Sequence, residues 1–206
     1  SAIKIVQIRK KRGRAVLETY GELALGPYAD VEAGRSTSLP REKIIEALKD
    51  IMREAKTTSL SCGIALPLSS SLITFITVPL VPDKQLSDVI SIEARKYIPV
   101  PMNEVMFDYS VIPNEDSFST DDQDVEGKKK DESKPAERKP LDVLVVAIHN
   151  EYVNNYQAIS LSAGLQTAFY EIEIFSSIRA VVEQGIQAMM IIDMGAQSTK
   201  LYILER

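Results

Sequence analysis

The stretch 189–204, MMIIDMGAQSTKLYIL, constrains the fold of this chain more than any other. An apolar run, Met189 to Ile192, leads into Asp193, and Gly195 then opens a small, hydroxylated turn with Ser198 and Thr199. A second apolar run begins at Leu201. Runs this short and apolar suit strands covered on both faces, and a glycine between them makes the pair a hairpin. A carboxylate at the end of a strand, followed by backbone N–H groups from Gly195 to Thr199, is chemistry suited to a phosphate with its Mg²⁺ on Asp193. The plain alternative is a hairpin that merely contains Asp and Gly.

The chain upstream reads as alternating β and α segments. Ile3, Ile5 and Ile8 begin a strand, the stretch 9–14 (RKKRGR) is a basic turn with Gly13, and 16–25 returns. That basic tip suits either a solvated turn or a contact with anionic lipid or an acidic partner. Pro40 stands at a helix start, and Ile44, Ile45, Leu48, Ile51 and Met52 then repeat at helical spacing. Strands at 60–66 and 72–78 each end at a proline, with serines 69–71 in the turn. Asp83 suits an N-cap for a helix whose face is Leu86, Val89, Ile90, Ala94 and Tyr97. Pro99 and Pro101 stop that helix and force an extended segment. Tyr97, Ile98, Val100 and Met102 there either pack inward or line a groove for a partner peptide.

Strands are expected at 105–112 and 141–148, pairing with each other, with 114–140 between them. That intervening stretch is dense in Asp, Glu, Lys and Ser and reads as disordered. A helix over 151–165 ends at Gly164, a strand covers 167–172, and a helix over 173–184 ends before Gly185. Several classes are excluded. There is no G-x-x-x-x-G-K-[ST] phosphate loop and no Cys/His cluster for zinc, and the lone His149 reads as structural. The single Cys62 cannot form an internal disulfide and fits a reducing compartment. A net charge of −5 argues against nucleic acid, and the apolar runs are too short to span a bilayer. No secretory leader is visible.

D-x-G-x-x-S-T between two hydrophobic strands resembles the second phosphate-binding hairpin of actin- and hexokinase-type ATPases. The run 66–109, LPLSSSLITFITVPLVPDKQLSDVISIEARKYIPVPMNEVMFDY, is more specific. Its serine turn, Val78-Pro79, the helix end Glu93 to Tyr97, Ile98-Pro99-Val100-Pro101 and Asp108-Tyr109 resemble the type IV pilus assembly PilM family, relatives of the division protein FtsA. The resemblance covers nearly the whole chain apart from 114–140.

The resemblance implies an α/β fold: an actin-like (ribonuclease H-like) ATPase lobe with an inserted small α+β subdomain. It places an incomplete subdomain 1A at 1–68 and 149–206 and the inserted subdomain 1C at 69–148. It implies a cytoplasmic scaffold, peripheral to the inner membrane through its partners in the pilus assembly platform. That scaffold binds the N-terminal cytoplasmic peptide of PilN in a groove between 1A and 1C. Tyr97, Ile98, Pro99 and Val100 are the candidate partner-binding residues, and other platform or motor ATPase proteins are further candidate partners. ATP and Mg²⁺ are the family's cofactors, with Asp193, Gly195, Ser198 and Thr199 as cofactor-binding residues and Asp193 nearest the metal. By order of elements Glu173 is the water-positioning residue, with Glu171 second to it. The family's first D-x-G-x-x-S/T loop and its second lobe have no counterpart here, so this chain is expected to bind ATP weakly or not at all and not to turn it over. An FtsA-like division protein and a working actin-like ATPase are the alternatives.

Overall fold

A computed structural model describes residues 2–112, 140–182 and 188–204. The chain divides into two compact units, Ser1–Leu66 with Asn154–Arg206, and Pro67–Val153.

The first unit carries three two-stranded ladders. β1 (Ala2–Lys11) and β2 (Arg14–Ala24) form an antiparallel hairpin with an irregularity between Gln7 and Ile8. The helix α1 (Arg41–Glu54) starts after Pro40, whose extended backbone caps it. It packs against β1 and β2, burying Ala47 and Ile51. β3 (Ser61–Leu66) pairs in parallel with β7 (Gln166–Ile172), a strand about a hundred residues further along the chain. α4 (Glu173–Val181) follows β7 directly. β8 (Met189–Met194) and β9 (Thr199–Leu204) form the second antiparallel hairpin.

The second unit is built on β4 (Ser71–Val78), β5 (Val105–Val111) and β6 (Leu141–His149), in the order β4-β6-β5, all antiparallel. The expected pairing of 141–148 with 105–112 is present, and β6 pairs with β4 on its other edge. A central strand is covered more fully than an edge strand, and Val143, Val145 and Ala147 are buried. They join Ile76, Val78, Val105, and Ile90 and Ala94 from α2 (Asp83–Ala94), in one hydrophobic core. α3 (Asn150–Ser162) runs on from β6 across the boundary between the units.

Three expectations need correction. Asp83 does not cap α2 from outside: it is the first helical residue, Pro82 holds the cap position, and no side-chain cap bond forms. A proline fixes the extended entry on its own, which leaves the carboxylate of Asp83 to the first turn, where the helix dipole favours it. The run 189–192 is not covered on both faces, because Met190 and Ile192 are exposed while Met189 and Ile191 are partly buried. Apolar character shows only that a strand can be covered. The helix expected over 173–184 ends at Val181, while its last expected residues and Gly185 lie outside the described residues. The stretch expected to be disordered, 114–140, lies outside them as well, except for Pro140.

Candidate functional site

The β8–β9 hairpin brings Asp193 directly opposite Lys200 in register. The turn closes through a hydrogen bond from the Gly195 N–H to the Ser198 carbonyl, 3.0 Å. That N–H is therefore used inside the turn and does not point outward at an anion, as the sequence had suggested. The Ser198 and Thr199 side chains stand on the exposed rim of the turn. Asp193 is 48% exposed.

Glu173 is the first residue of α4, immediately after β7. Its backbone carbonyl accepts from the hydroxyls of Ser176 and Ser177, 2.8 and 3.0 Å, which stiffens the first turn. Its carboxylate accepts a hydrogen bond from the Lys200 ammonium. The same ammonium lies 3.8 Å from Asp193 Oδ2. Glu173 and Asp193 are thus drawn to one point by a lysine that sequence reasoning missed. The hydrogen bond to Glu173, and then the charges around it, hold the Lys200 pKa above its ordinary value. The second candidate, Glu171, is committed elsewhere. Arg179 grips it with both terminal guanidinium nitrogens, at 2.5 and 2.6 Å, and holds its carboxyl below the usual range.

The donor chemistry fits a phosphate better than a metal. Lys200 and the Ser198 and Thr199 hydroxyls are suitable donors to phosphate oxygens. For Mg²⁺ the set is poor, because the cation position between Asp193 and Glu173 is filled by an ammonium. Among the described residues no group of three or more His, Cys, Asp or Glu side chains could hold a metal.

The second unit holds a separate concavity of about 280 Å³. Ile98, Pro99 and Val100 form one side of it, and Leu72, His149 and Tyr152 line it elsewhere. The last turn of α2 runs on through N–H bonds from Tyr97 and Ile98 to the Ala94 carbonyl, which ends the helix just before Pro99. That fixes the alternation: Ile98 turns into the core at 6% exposure, while Tyr97 is 49% exposed and does not line the concavity. Ile98 is thus packed inward, and Pro99 and Val100 after it border the concavity. The serine turn at 69–71 forms the floor. Ser70 and Ser71 donate to the Pro67 and Leu68 carbonyls, 2.7 and 2.9 Å, so their hydroxyls shape the turn. His149 meets Tyr152 edge-on at 6.3 Å between ring centres, an aromatic corner that spacing alone did not announce.

A parallel ladder whose two strands flank an inserted β-sheet unit in sequence, with a strand–turn–strand hairpin after it, defines an α/β lobe of the actin-like kind. Comparison with known proteins agrees. The chain belongs to the type IV pilus assembly protein PilM family, whose sequence profile matches residues 1–206. Among solved structures it is similar to a chain of a PilM–PilN type IV pilus biogenesis complex, with TM-score 0.74 and 22% identity, covering 100% of this chain and 55% of that one. It is also similar to the cytoplasmic domain of EpsL, an inner membrane component of the type II secretion system of Vibrio cholerae. There the TM-score is 0.51 and the identity 13%, over 98% of this chain and 66% of that one. At such identities the likeness is one of fold. The chain spans little more than half of the pilus-complex chain it matches. Among the described residues no helix is long and apolar enough to cross a membrane.

Proposed function

We propose that this chain is a scaffold of the type IV pilus inner-membrane platform, acting on the cytoplasmic side, and that it holds the N-terminal cytoplasmic peptide of PilN. The observation that carries this reading is the Ile98-Pro99-Val100 rim of the concavity in the second unit. Pro99 lacks a backbone N–H, as does Pro101 after it, so the rim has few donors of its own to compete with a peptide laid along it. Apolar side chains and the His149–Tyr152 corner offer anchoring surface for an extended segment.

Titration of a PilN tail peptide into the chain tests this. Pro99→Ala with Tyr152→Ala is expected to weaken binding about tenfold, since both side chains are exposed and neither belongs to the buried core. A peptide that does not bind the unaltered chain would overturn the reading.

A second reading, ATP binding with Mg²⁺ by the whole protein, rests on the order of elements: a hairpin carrying Asp193, Ser198 and Thr199 follows a helix that begins at Glu173. In this chain the turn uses the Gly195 N–H internally and the lysine fills the cation position, so we expect weak ATP binding and no turnover. Phosphoryl transfer depends on positioning and charge neutralisation that one exposed turn does not supply. A Mg·ATP titration reaching micromolar affinity would contradict this.

A further inference from the structure

The opening hairpin has one face on α1 and one face open. On the covered face, a Cβ placed on Gly21 would lie 3.2 Å from Ile51 Cγ1. Thr19 Oγ1 donates to the Ala55 carbonyl at 2.7 Å, and Gln7 Oε1 accepts from the Thr58 and Ser59 N–H groups at 2.8 and 3.1 Å. These anchors stop at Gln7 and Thr19. Beyond them every residue from Ile8 to Leu17 is exposed. At about 3.3 Å per strand residue, this is an arm roughly 15 Å long.

The arm has two chemical parts. On its open face the cross-strand pairs Val6–Tyr20 and Ile8–Leu17 form an apolar stripe, each side chain between 57% and 71% exposed. At its end stand Lys10, Lys11, Arg12 and Arg14. Arg9 is paired with Glu18 at 2.6 Å, but among the described residues no carboxylate lies within ion-pair distance of the other four. The turn is tight, with φ of 51° at Arg12 and 81° at Gly13. Positive φ is strained for arginine, where Asn, Asp or Gly would be at ease, so the turn accepts strain and keeps a cation at its apex.

We propose that this hairpin is a membrane-contact arm that seats on an anionic lipid surface. The four uncompensated cations meet lipid phosphates, and Ile8, Leu17 and Tyr20 settle at the interface, where an amphipathic tyrosine and cationic ends are favoured. A nucleic acid would use the charges but leave the apolar stripe without a partner. The chain as a whole carries −5, and the arm's length exceeds the Debye length of about 8 Å in physiological salt. The unit that carries the arm has 15 Lys and Arg against 13 Asp and Glu, so its own charge does not oppose approach to an anionic surface.

The test is co-sedimentation of the 206-residue chain with phosphatidylcholine vesicles, with and without phosphatidylglycerol. Binding is expected only to the anionic vesicles and is lost at high salt. Each cation removed lowers partitioning about fivefold, so Lys10→Gln with Lys11→Gln costs roughly 25-fold. Ile8→Ser with Leu17→Ser weakens binding while leaving its salt slope unchanged. All four positions are exposed, and circular dichroism verifies that the variants fold. Equal binding to both vesicles, no binding, or a lysine variant that partitions like the original would overturn the proposal. So would polyglutamate or a DNA duplex competing the chain off the vesicles, since either would mark the tip as a site for another polyanion.

Discussion

The Lys200 ammonium donates to the carboxylate of Glu173, joining the second hairpin to the first residue of α4 across 27 positions of sequence. Both side chains are about three-quarters covered, so the pair is screened less than a surface ion pair. Lys200→Met should destabilise the chain by about 1 kcal/mol, and a double-mutant cycle with Glu173→Gln in urea unfolding should show coupling of similar size. The fold raises the lysine pKa, so its contribution is complete below the ordinary value of 10.5 and fades as pH rises through the raised one. Strictly additive single-variant effects would mean that the contact contributes nothing.

Two glycines should respond differently to the same substitution. A Cβ on Gly26 would fall 2.3 Å from the Glu32 carbonyl oxygen, a backbone atom that cannot swing aside. A Cβ on Gly63 would fall 2.2 Å from the tip of the Phe169 ring, which is more than half exposed and can rotate away. Gly26→Ala is therefore expected to cost at least about 2 kcal/mol and Gly63→Ala about 1 or less, read as shifts in urea midpoint. The reverse order would contradict this geometry.

Local pattern made most of the elements legible. Alternation and turn chemistry marked both hairpins, prolines marked the ends of β3 and β4, and helical spacing marked α1 and α2. The contacts that build the candidate site were hidden because they join distant segments. The parallel pairing of β3 with β7 spans the whole inserted unit, and Lys200 reaches Glu173 through tertiary packing. One signal was present and unused. A short turn between Asp193 and Lys200 sets them opposite each other by count, which already implied that the acid has a cation beside it. The exposure of Met190 and Ile192 was not legible, since hydrophobicity does not name what covers a strand.

Tyr28 donates its hydroxyl to Asp50 Oδ2 at 2.7 Å, and this bond, followed by burial, pushes the phenol up to about 12. The same bond holds the Asp50 carboxyl below its ordinary value of 3.8. A raised phenol stabilises the fold fully below its ordinary pKa of 10.0 and loses that contribution as pH climbs toward 12. A depressed carboxyl contributes above 3.8 and loses it as pH falls through the lower, folded value. Phenolate absorbance should show one tyrosine titrating near 12 that disappears from the curve in Tyr28→Phe. In Asp50→Asn it should move back toward 10. If Asp50→Asn leaves the curve unchanged, the bond is not the cause.

Ile98 and Tyr97 are neighbours in sequence with opposite duties, and stability measurements can separate them. Ile98 is buried in the core with Ile90, Ala94 and Val105 while also edging the concavity. Cutting it to alanine removes packed methylenes and leaves a cavity in a sheet-backed core, which should cost about 2–4 kcal/mol in urea unfolding. Tyr97 has half its surface in water, and its alanine variant should stay within about 0.5 kcal/mol of the original. Peptide binding by Ile98→Ala then reports collapse of the rim's support, whereas Pro99→Ala reports the rim itself. An Ile98→Ala chain as stable as the original would show that the segment is not anchored in the core, and the rim built on it would lose its physical basis.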